Sequence, residues 1–301
     1  MRYTMKFIYS ILILVLPLFA GCSQQNDTAH TPELVDVKTT TQEYAFAVHP
    51  LHNPTYLFEV FNPLLTYLNS EIPDVHFKLE ASRDYASFDE KLKNEAVSFA
   101  LPNPYQTLMA IDNNYKVIAK MGDDHNFKGI ILVRKDSNIK GPKDLKGQAV
   151  SYPAPTALAA TILPQYFLHH HGLDINKDIE NKYVGSQESS IMNVFLGTTV
   201  AGATWPPPWK ALSDKRPELK DALKVIWETK SLPNNSIVVR KDVPDALALK
   251  VQGLLSNLHN TAEGKQILKR MYLSKFEPAN NDTYNSVRTF VAEFNDTVRP
   301  L

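Results

Sequence analysis

The sequence predicts an α/β protein of two lobes, with mixed sheets flanked by helices. Three observations carry that prediction. Apolar runs of strand length alternate with amphipathic runs of helix length from Glu43 to about residue 240. The alternation falls into two blocks, the second opening with "DSNIKGPKDLKG" from Asp136. From Pro244 onward the pattern reads as helical only, a tail able to pack on the first block.

"EYAFAVHP" (43–50) reads as a strand and loop, and Asn53-Pro54 as an N-cap with proline at the first helical position. The helix "TYLFEVFNPLLTYLNSEI" follows, with a kink expected at Pro63. "VHFKLEA" alternates as a half-buried strand, "RDYASFDEKLKN" is a helix, and "AVSFALP" is a buried strand. "PYQTLMAIDN" is a helix, and "YKVIAKM" and "GIILVRK" are strands. In the second block "KDLKG" is a turn of helix and "QAVSYP" a strand. Thr156 opens a helix that runs to about His171 and stops at Gly172. "NKYVGS", "TTVAGATW" and "LKVIWET" are strands, and "QESSIMNVFLG" is a helix. "NNSIVVRKDVP" is the last strand before three helices.

The N-terminus is read as a secretory signal, residues 1–21: Arg2 and Lys6, then the apolar run "FIYSILILVLPLFAG". That run is short of the about 20 residues a spanning helix needs. Ala20-Gly21-Cys22 resembles the bacterial lipobox, with Phe19 a departure from its pattern. Cys22 is the only cysteine, so no internal disulfide is available, and lipidation accounts for the odd thiol. Residues 22–42 then form the lipidated cysteine and a polar tether. Lys+Arg and Asp+Glu both number 32, with no basic stripe, which argues against a nucleic-acid partner. No nucleophile elbow, phosphate loop, zinc-protease motif or catalytic cysteine is present, so an enzyme has no residue to stand on. No cofactor or metal is expected: "HHH" (169–171) lacks the i, i+3 or i, i+4 spacing that shared ligation needs, and His49 and His52 lack partners at convincing spacing.

Four stretches resemble the periplasmic substrate-binding proteins of phosphonate, phosphite and phosphate ABC transporters. They are "FNPLLTYLNSEIPDVHFKLEASRDYASFDEKLKN", "SFALPNPYQTL", "SNIKGPKDLKGQAVSYPAPTALAATILP" and the helices from "VPDALALKVQGLL" to "NDTYNSVR". The resemblance implies the type II periplasmic-binding fold, with a hinge and an inter-lobe cleft. Lobe one is expected at 43–134 plus 236–301 and lobe two at 135–235. It also implies a monomer that holds a small anionic or zwitterionic ligand for an ABC permease, lipid-anchored at the periplasmic face. Two alternatives stay open: a ligand-sensing partner of a membrane sensor kinase, and a surface or assembly lipoprotein with no small ligand.

The resemblance places the ligand near Tyr105 and Asn103, with Tyr56 and Tyr85 weaker, and near Thr156, Ala157, Gln187 and Glu188. Three departures concern the ligand itself. The family's Ser-Thr-Ser-Gly helix start reads Thr156-Ala157-Leu158-Ala159-Ala160, its Ser-His-Asp reads Ser186-Gln187-Glu188, and Val200 replaces an aspartate. "TWPPPWKAL" (204–212) ends a lobe-two strand, where cleft residues gather. Three prolines there stiffen the chain and remove N–H donors. Trp205, and to a lesser degree Trp209, is expected to wall the organic part of a ligand, with Glu188 placed to pair with an amine. The competing expectation is that both indoles are simply packed in the interior.

Overall fold

The computed structural model describes residues 41–301. Expectations for the signal segment, Cys22 and most of the tether lie outside the described residues. Asn53 does cap the first helix, α1 (Pro54–Glu71), its Oδ1 accepting from Tyr56 N at 3.0 Å, and Pro54 sits in the first turn. α1 continues through Pro63 without a break. Its buried stripe, Leu57, Val60, Phe61, Leu64, Leu65 and Leu68, has helical spacing and faces the first sheet.

That sheet holds β1 (Gln42–Val48), β2 (Val75–Glu80), β3 (Phe99–Leu101), β4 (Tyr115–Met121), β10 (Ser236–Arg240) and β11 (Phe276–Pro278). Their order is β11-β4-β10-β3-β1-β2. β1 runs parallel to β2 and β3, and β10 runs antiparallel to β3 and β4. Phe46 stacks on Phe99 at 6.1 Å, and Phe77 meets Phe99 edge-on at 5.3 Å, filling the core beneath α1. Around this sheet pack α2 (Tyr85–Lys93), α3 (Pro104–Asp112), α8 (Asp245–Asn257), α9 (Ala262–Arg270) and α10 (Asn285–Thr297). The tail expected to be all helical thus contributes a strand as well: β11 pairs with the edge of β4.

The second sheet holds β5 (Ile130–Arg134), β6 (Ala149–Tyr152), β7 (Glu180–Tyr183), β8 (Ala201–Thr204) and β9 (Leu223–Glu228), in the order β7-β6-β8-β5-β9. β5 pairs with β8 and β9, so the expected boundary at 134/135 is corrected to the segment before β5. The chain crosses between sheets twice, through residues 122–129 and 229–235. These crossings form the hinge. Met121 N donates to Asn235 O at 2.8 Å, Asn234 Nδ2 to Gly122 O at 2.7 Å, and Asn234 N to Asp124 Oδ1 at 3.0 Å.

The helix expected from Thr156 begins as a π-helical turn at Leu158–Ile162 and becomes α4 at Leu163–His170. Ile162 N reaches back five residues to Ala157 O. Pro164 accounts for this, since its ring lacks a donor and crowds the carbonyl an α-turn would present. A Cβ added at Gly129 would lie 2.5 Å from Ala159 O and 2.7 Å from Pro164 Cδ, so glycine lets the hinge touch this turn. α5 (Gln187–Phe195), α6 (Pro206–Lys215) and α7 (Glu218–Ala222) complete the lobe. Trp205 is the N-cap residue of α6, and the three prolines form its first turn, where an absent N–H costs little. Among the described residues no helix is long and apolar enough to cross a membrane.

At the centre of the second lobe a Cβ on Gly202 would lie 2.6 Å from Val194 Cγ2 and 2.7 Å from both Ser151 Oγ and Ser190 O. Gly202→Ala is expected to lower stability by about 1–3 kcal/mol through overpacking. Urea unfolding of the two proteins measures it.

Candidate functional site

The two lobes are shut on one another. Asn53 Nδ2 donates across the cleft to both carboxylate oxygens of Glu188, at 3.0 Å each. Asn103 Nδ2 donates to Thr156 O at 3.1 Å, and Thr156 Oγ1 to Asp89 Oδ2 at 3.5 Å. Arg299 reaches Gln165 Oε1 and Pro155 O, both at 2.9 Å. At one rim Lys215 Nζ stands 3.4 Å from the centre of the Tyr56 ring.

Between the lobes lies a small cavity of about 10 Å³, room for roughly one water. His49, Tyr85 and Asn103 face it from lobe one, and Phe127 and Asn235 from the two hinge crossings. Residues 157–160, Gln187 and Trp205 face it from lobe two. β1 delivers His49, because the strand's burial deepens toward its C-terminal end. Gln187 opens α5, where Ser186 caps the helix by accepting from Ser189 N at 3.0 Å. Its Oε1 accepts from Thr204 Oγ1 at 2.8 Å, which turns Nε2 toward Tyr85 OH, 3.5 Å away. Trp205 is 3% exposed and meets Phe127 edge-on at 5.5 Å.

Asn103, Ala157, Gln187 and Trp205 therefore come together around one cavity, joined by Tyr85. Thr156, Glu188 and Tyr56 lie beside it and are engaged in cross-lobe contacts instead. Tyr105 does not reach the cavity: it lines an outer groove with Asp112 and Arg288. Trp209 packs at the margin of the Leu132–Ile191–Val194 cluster. The rings of His170 and His171 each bond a carbonyl four residues back, at 3.0 and 2.7 Å. Phe127 and Asn235 escaped the sequence reading, since one apolar and one amide residue in connecting segments carry no pattern.

None of the residues lining the cavity is a Lys, Arg, Asp or Glu. Burial pushes His49 down to about 4, so its ring is neutral near pH 7. The acid nearest in the network is Asp89, which burial pushes up to about 6 against the opposing hydrogen bonds of Gln106 and Thr156. The first N–H groups of the turn at Leu158 have no carbonyl one turn earlier, and they supply the cavity's positive end. This set can hold and orient a small polar molecule. It contains no nucleophile paired with a base.

Two sheets on a double crossing, closed over a buried polar cavity, define a binding protein of the type II periplasmic fold. Residues 46–284 match the model of the family described as ABC transporter, phosphonate, periplasmic substrate-binding protein, and the chain belongs to that family. Its members bind substrates for transport and are not enzymes. A probable ABC transporter phosphite-binding protein, PhnD1, of Prochlorococcus marinus is 25% identical over 164 residues. That match takes in 52% of this chain and about half of the relative, 55%. The structure of PhnD1 in complex with methylphosphonate superposes with a TM-score of 0.77 at 22% identity, over 85% of this chain and 99% of that one. A binding-protein component of an ABC phosphonate transporter from Pseudomonas aeruginosa gives the same TM-score, 0.77, at 18% identity, covering 85% and 88%.

His49 makes the fold sensitive to acid. Its proton affinity is depressed in the folded chain, so the unfolded chain binds more protons between pH 6.5 and about 4. Its contribution is present above pH 6.5 and is lost as pH falls to about 4, amounting to on the order of 3 kcal/mol. Asp89, with its affinity raised, gains stability over part of that window and offsets some of the loss. Urea unfolding at about pH 7 and about pH 4.5 is expected to show net loss in the wild type and a smaller loss in His49→Gln.

Proposed function

We propose that this chain is an exported, lipid-anchored solute receptor. It captures a small oxyanion of the phosphonate class between its lobes and presents the closed form to an ABC permease. The observation that carries the proposal is the cavity itself: uncharged side chains around the free N–H groups of a helix start, sealed between two lobes. Contacts to ligand from both lobes would shift the open–closed equilibrium, which is the signal a permease reads. Cys22 supplies the anchor and residues 23–42 the tether in this reading. Family membership and the likeness to PhnD1, a probable phosphite-binding protein whose structure holds methylphosphonate, support it.

One observation favours a second reading. The cavity has room for only about one water, as it would in a lipoprotein that kept the fold and gave up the ligand. Thermal unfolding against phosphite, methylphosphonate, phosphate and methanesulfonate separates the two. A ligand at 100 times its Kd stabilises by about 2.7 kcal/mol. A shift with a phosphorus oxyanion supports the receptor, and no shift with any of them rejects it.

Substitutions sharpen the test. Gln187→Glu keeps the acceptor that Thr204 uses and adds a negative charge at the cavity wall. It is expected to weaken oxyanion binding about 100-fold through like-charge repulsion in a buried site. Tyr105→Phe is expected to leave affinity unchanged, because that ring lies off the cavity. Calorimetric titration reads both.

A further inference from the structure

We infer that the cavity takes its ligand with a proton still attached: His49 Nε2 and Asn235 Oδ1 are acceptors for the O–H of a monoprotonated oxyanion, and a dianion is refused. The inference rests on the reading above, that an oxyanion occupies the cavity, and it specifies which ionic form.

Three observations converge. The first is the tautomer of His49. Its Nδ1 lies 2.8 Å from Leu101 O, and a carbonyl only accepts, so Nδ1 carries the hydrogen. Nε2 is then a lone pair on a cavity-lining ring, with no partner among the described residues. The second is Asn235, 1% exposed. Its Nδ2 is directed at Met121 Sδ, 3.5 Å away, and its Oδ1, on a residue that lines the cavity, has no hydrogen-bond partner. A buried acceptor without a donor costs free energy that a ligand O–H would recover. The third is charge. No Lys or Arg lines the cavity, so the second charge of a dianion would be buried uncompensated. Donors lie on the lobe-two wall, at the helix start and Gln187 Nε2, whereas these two acceptors lie on lobe one and the hinge. A molecule with oxygens on one side and an O–H on the other matches both.

The titratable groups around His49 are few. Tyr85 of α2 places its ring 6.0 Å away, beside the apolar ring of Phe88, and His52 lies in the same loop. Asp89 acts on Tyr85, and Lys215 acts on His52. Asp89 titrates at about 6 and His49 at about 4, leaving the pH range above 7 to the ligand.

Calorimetric titration of the protein from about pH 7 to about pH 9 tests the inference, with methylphosphonate against methanesulfonate, which has the same shape and no second ionisation. Methylphosphonate affinity is expected to fall about tenfold per pH unit above its second ionisation while methanesulfonate affinity stays level. Asn235→Ala leaves the Met121 N to Asn235 O bond in place, so the variant should fold. It is expected to shrink the preference for methylphosphonate over methanesulfonate at about pH 7 by about tenfold. Methylphosphonate affinity that holds or rises with pH, or an unchanged preference in Asn235→Ala, overturns the inference and leaves the receptor standing. Binding of neither ligand at any pH overturns the receptor reading and this inference with it.

Discussion

Everything in this molecule turns on the short bond between Met121 N and Asn235 O. Each sheet is built from strands far apart in sequence, and among the described residues the chain passes between the sheets only by the two crossings that this bond joins. The neighbouring groups reinforce it. Asn234 ties the return crossing to Gly122 and Asp124, and Tyr284 OH donates to Asn234 O at 2.5 Å. Lys120 holds the outgoing crossing to Asp124 and to Glu277 of β11, at 2.8 and 2.7 Å. The unexpected strand in the tail thereby anchors the pivot. Cleft, cavity and closure all inherit their geometry from this point.

Away from the pivot the lobes are held by separate polar contacts, each worth about 1 kcal/mol or less. Phe290 meets Tyr166 edge-on across the cleft at 5.1 Å, and a smaller apolar contact sets Tyr85 against Ala154, Ala157 and Ala160. It explains the departure at the helix start. This chain places methyl groups under a tyrosine ring there, and the cavity is faced by backbone N–H groups, Gln187 and the acceptors on the opposite wall.

Much of this was legible because burial leaves a period. α1, β4, β5 and the capped start at Asn53 follow from apolar spacing and N-cap chemistry. The order of family motifs pointed to Asn103, Ala157, Gln187 and Trp205, which the fold gathers at one cavity. The failures share a cause. Assigning β5 to a sheet depends on which partners it meets, and β11, three residues long, has no pattern to show. Tyr105 sits one residue from the cap Asn103, and the turn of α3 carries its ring outward while Asn103 stays at the cavity. Asn235 became visible only when its oxygen was found without a donor.

The prolines of α6 make two helix starts of the second lobe unlike one another. With Pro206, Pro207 and Pro208 in the first turn, this helix start has no N–H to offer until Trp209, whose N–H is already directed at Trp205 O, 3.3 Å away. The turn at Leu158 keeps its donors. A polar molecule therefore finds free backbone donors at the Leu158 turn and none at the start of α6.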